Sequence, residues 1–71
     1  MTAIVISKEP VELYKILKFE GLAASGAEAK QCVEQGLVRV NGIVETRKRK
    51  KMIAGDTIDF ADQTYTLHLA G

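Results

Sequence analysis

The sequence predicts an α+β fold, with two helices packed on a small, mainly antiparallel β-sheet. Three observations carry that prediction. Apolar residues recur at helical spacing from Val11 to about Gln35, and the pattern changes to alternation after Gly36. Asn41-Gly42 then supplies the strongest short-range hairpin signal, because both turn residues need positive φ. With 71 residues and 46% apolar content, the chain is expected to fold as one domain over residues 1–71 around a thin two-layer core.

Thr2–Ser7 is apolar and partly β-branched and reads as a first strand. Lys8-Glu9-Pro10 ends it, and proline suits the first turn of a helix running from Val11 to about Glu20. Leu13, Ile16 and Leu17 form its inward stripe, Lys15 and Lys18 fall towards water, and Gly21 supplies the left-handed stop. Ser25-Gly26-Ala27-Glu28 has the spacing of a capping box. It opens a second helix to about Gln35, with Ala29, Cys32 and Val33 inward and Gly36 closing it. The helices, joined only by Gly21–Ala24, must turn sharply and pack as a pair.

Leu37–Val40 is the next strand. A two-residue turn at Asn41-Gly42 puts Val38, Val40 and Ile43 on one face and Arg39 and Thr46 on the other. A bulge would bring Val44 inward instead, and both registers fit the sequence. Met52–Ile53, Thr57–Phe60 and Thr64–Leu69 complete the strands. Tyr14, Phe19, Phe60 and Tyr65 fall mostly at core positions, leaving no aromatic platform on the polar side.

Net charge is only +1, yet five of the ten basic residues are consecutive, from Arg47 to Lys51. A strand sends successive side chains to opposite faces, so five cations in a row cannot form a half-buried strand. The segment must be a protruding loop or an exposed edge. Composition leaves two readings open: a patch for an anionic partner, or a charged edge that protects a sheet. Five phosphate contacts would give a log–log salt slope of roughly −4.5.

The single cysteine, Cys32, excludes an internal disulfide and fits a reducing, cytoplasmic setting. No apolar run reaches membrane-spanning length or makes a signal-peptide core. His68 lies on the outward side of the last strand with no catalytic partner at useful spacing, and Cys32 reads as a small buried hydrophobe. Asp56, Asp59 and Asp62 straddle two turns and lack the spacing of a calcium loop. No cofactor, metal, small-molecule substrate or catalytic activity is expected.

Several separate segments together resemble one family. "SGAEAKQCVEQG" (Ser25–Gly36), "VRVNG" (Val38–Gly42) and "GDTIDF" (Gly55–Phe60) stand in the order of the second helix, hairpin and closing strand of the RNA-binding domain named after ribosomal protein S-four, the αL motif. "VETRKR" (Val44–Arg49) is similar to a segment of its short stand-alone bacterial members. The resemblance implies a non-catalytic module whose helix pair and following loop form a positive face for structured RNA, ribosomal RNA included, in ribosome assembly or quality control. By position it implies contacts from Ser25, Lys30, Asn41, Arg47, Lys48, Arg49, Lys50 and Lys51; Arg39, on the outer side of the hairpin, joins them.

Two departures stand out. Gly26 occupies a position where many members carry arginine, and Val11-Glu12-Leu13 replaces Arg-Leu-Asp. The expectation is that Arg47–Lys51 compensates and moves the footprint towards the hairpin. A monomer is expected. The competing reading is a protein-interaction adaptor whose basic loop docks on an acidic partner.

Overall fold

The computed structural model describes residues 2–71, which form seven strands and two helices. β1 (Thr2–Ile6), β3 (Arg39–Val40), β4 (Ile43–Val44), β6 (Thr57–Phe60) and β7 (Gln63–Leu69) make a five-stranded sheet in the order β1-β7-β6-β3-β4. Every pair in it is antiparallel except β1 with β7, which runs parallel from Thr2 opposite Tyr65 to Ile6 opposite Leu69.

The two helices are α1 (Leu13–Phe19) and α2 (Gly26–Glu34). Gly21 stops the first with φ +72° and Gly36 follows the second with φ +77°, conformations that glycine adopts without a Cβ penalty. Ser25 caps α2 by accepting the Glu28 N–H at 3.1 Å. Among the described residues no bond returns from the Glu28 side chain, so half of the expected capping box forms.

The core is one cluster drawn from both layers: Ile4 and Ile6 of β1, Leu13, Ile16 and Leu17 of α1, Ala23 between the helices, Ala29 and Val33 of α2, then Val38, Val40, Met52, Ile58 and Leu67. Among the described residues it contains no buried polar side chain. Cys32 is half-buried and packs against its edge.

Two expectations need correction, at Val11–Glu12 and at Phe19, and the open hairpin register is resolved. Val11 and Glu12 do not begin α1; they form a short strand, β2, paired antiparallel with β5 (Lys51–Met52) as a separate two-stranded sheet. The β-branched Val11 suits this extended backbone, and the ladder places Glu12 opposite Lys51. The hairpin takes the two-residue register, with Val40 opposite Ile43 and both turn residues at positive φ (Asn41 52°, Gly42 83°). Ile43 shares a face with Val40 yet is 74% exposed, because β4 is the edge strand of the sheet. Phe19, expected inside, is 69% exposed at the end of α1.

Candidate nucleic-acid interface

The basic segment is a surface loop, and its backbone is tied down. Arg47–Lys50 forms a tight turn closed by a bond from the Lys50 N–H to the Arg47 carbonyl (3.1 Å), and Lys51 enters β5. The first turn of α1 has no side-chain cap. Its orphan donors are met by the loop itself: the Leu13 N–H donates to the Lys50 carbonyl (2.9 Å) and the Tyr14 N–H to the Lys48 carbonyl (3.1 Å). Capping the helix with loop carbonyls holds the loop backbone against α1 while its long side chains stay at the surface.

Ion pairs divide the five cations into two groups. Glu45 grips Arg47 with both oxygens, Nε to Oε2 at 3.0 Å and Nη2 to Oε1 at 3.1 Å, and also accepts the Arg47 backbone N–H at 2.9 Å. The Arg47 side-chain bonds, then its backbone N–H, hold the Glu45 carboxyl down from the ordinary 4.5 to about 2, and the pairing raises Arg47 in turn. Lys48 reaches Glu34 at the end of α2, at 3.4 Å. Arg49, Lys50 and Lys51 make no ion pair within 4.0 Å among the described residues. With Arg47 they line an open concavity of about 460 Å³.

Helical spacing brings the other cations to the same place. Tyr14 and Lys18 are one turn apart on α1, and Gly26 and Lys30 are one turn apart on α2. The two pairs face each other: a Cβ on Gly26 would lie 3.7 Å from Lys18 Cδ and 4.0 Å from Tyr14 Cε2. The half-buried Tyr14 ring is the meeting point, with Lys30 Nζ 4.7 Å and Arg49 Cζ 5.8 Å from its centroid. Cations from α2 and from the loop therefore converge on one ring, whereas Ser25 serves as the cap of α2 through the Glu28 N–H.

Two of the expected contacts lie elsewhere. Arg39 is opposite Asp59 in register and shares a concavity with Asp59 and Asp62, not with the loop cations. Asn41 is occupied with folding: its Nδ2 donates to Asp56 Oδ1 (3.1 Å), and its Oδ1 accepts the Thr57 N–H (2.9 Å). Conversely, Tyr14 and Lys18 belong to the cluster and were not among the expected contacts. Their four-residue spacing on the rim of α1 is the available signal, and Tyr14 also packs against the core from there.

The chain is similar to known proteins along most of its length. The family model described as "S4 domain" matches residues 4–68. YbcJ of Escherichia coli (strain K12) is 50% identical over 62 residues, covering 86% of this chain and 89% of that protein. The tyrosine–tRNA ligase of Bordetella pertussis is 42% identical over 55 residues, 78% of this chain but 13% of the ligase. The solution structure of E. coli YbcJ, described as revealing an αL motif involved in RNA binding, superposes with a TM-score of 0.70 at 46% identity, covering 94% of this chain and 86% of that one.

Proposed function

This chain belongs to the S4 domain family, and from that premise we propose that it is a non-catalytic, cytoplasmic RNA-binding module that grips structured RNA by its phosphates. The observation that carries the proposal is the meeting of Lys30 and Arg49 over Tyr14, beside the concavity that Arg49, Lys50 and Lys51 share with Arg47. The involvement of the YbcJ αL motif in RNA binding supports the same reading. Like charges held this close repel one another in the free protein, and a phosphate backbone relieves that repulsion. Arginine adds a planar fork that matches phosphate oxygens. Ribosomal RNA, in ribosome assembly or quality control, is the first target to test.

The ion pairs set a number. With Arg47 held by Glu45, Lys48 by Glu34 and the Lys18 ammonium turned to the Phe19 ring, the free contributors around Tyr14 and the loop are Lys30, Arg49, Lys50 and Lys51. Four phosphate contacts give a log–log salt slope of about −3.6, shallower than five loop cations would give. Titration of a stem–loop RNA at several salt concentrations measures it. A slope near zero would sink the phosphate grip. A cellular partner that survives nuclease treatment would point instead to a protein adaptor.

A further inference from the structure

A groove of about 680 Å³ lies between β1 and α1, beside the cationic cluster. Its apolar surface includes Val5 and Ile16, and Lys8, Lys15, Lys18 and Lys51 stand along it against two carboxylates, Glu12 and Glu20. Glu12 is already paired with Lys15 at 3.1 Å. Phe19 lines the same groove with its ring mostly in water, and Lys18 Nζ is 5.9 Å from the ring centroid. Tyr14, Lys18 and Lys51 belong both to this groove and to the cationic surface described above.

Resting on the RNA-binding reading, we propose that this groove takes unpaired nucleotides flanking the structured RNA, with a base stacked on Phe19 and the phosphates met by Lys18 and Lys51. A nucleotide repeats a flat apolar base and an anionic phosphate, which is the pairing of exposed ring and lysines found here. The shared residues make the groove continuous with the phosphate grip, so a strand leaving a stem can enter it directly. Stacking on one aromatic tolerates any base, so the groove recognises single-strandedness rather than sequence.

The test uses a short stem–loop RNA and the same stem–loop with a single-stranded uridine extension carrying one 2-aminopurine. Wild-type protein should bind the extended RNA about tenfold more tightly and quench the 2-aminopurine on stacking. Phe19→Ala should remove both the gain and the quench while leaving affinity for the blunt stem–loop within about twofold, and Phe19→Tyr should keep them. Phe19 is exposed, and a thermal melt of each variant checks that the fold is intact. Salt-sensitive binding of the blunt stem–loop with no gain from the extension, or a gain that survives Phe19→Ala, overturns the groove proposal alone. Failure of wild type to bind either RNA overturns the phosphate grip and the groove with it.

Discussion

Glu45 decides how much of the basic segment is available. Its side chain is only 12% exposed whereas Arg47 is 73% exposed, so the carboxylate is held in place and the arginine is drawn onto it. Neutralising the carboxylate in Glu45→Gln should release Arg47 as a further phosphate ligand, steepening the salt slope by about 0.9 and raising RNA affinity at low salt. The same substitution has a signature without RNA. Because Glu45 titrates lower in the folded chain than in the unfolded one, its contribution is fully present above about pH 4.5 and is lost as pH falls towards 2. Wild type should therefore lose melting temperature faster than Glu45→Gln between those two values, as followed by circular dichroism. Parallel curves would mean that the grip on Arg47 adds nothing to stability.

At the scale of elements, the turns separate residues that bind from residues that build. Asn41 was expected at the interface, yet its side chain ties the hairpin tip to Asp56 and Thr57 while its backbone holds φ 52°. Asn41→Ala should cost about 1–3 kcal/mol of stability through lost bonds and left-handed strain, without changing the salt slope. The β6–β7 turn makes the opposite case. Ala61 sits at φ 51° with no side-chain role to offset it, so Ala61→Gly should raise stability by about 0.5–1 kcal/mol in urea unfolding. The helix stops, the serine cap and the Asn-Gly turn were legible in the sequence because each depends on neighbours a few residues away. The β2–β5 pair was not, since Val11 and Met52 are distant in the chain and two-residue strands leave no periodicity. Nor was the loop's capping of α1, because a carbonyl acceptor belongs to every residue and carries no sequence signature.

Across the whole molecule, charge is separated rather than abundant. Lys30, Arg49, Lys50 and Lys51 gather around α1 and the loop, while Asp59 and Asp62 lie across the sheet with Arg39. The sequence revealed the block of cations, with Glu45 two residues from Arg47, but not that Lys48 was also paired, because Glu34 reaches it only once helix and loop are folded together. It also concealed Tyr14 as the hub, since a tyrosine on the rim of a helix has the same spacing as one in the core. If the local field governs binding, two substitutions that change net charge equally must act unequally. Asp62→Asn and Glu45→Gln each raise the net charge by one, and asparagine tolerates the φ of 65° that Asp62 adopts. Asp62→Asn should leave RNA affinity within about twofold, because Asp62 lines a different concavity from the loop cations and exposed charges are screened at physiological salt. Glu45→Gln should shift affinity and slope together. Equal gains from the two, measured in parallel salt titrations, would show that overall charge rather than the Tyr14 cluster draws the RNA.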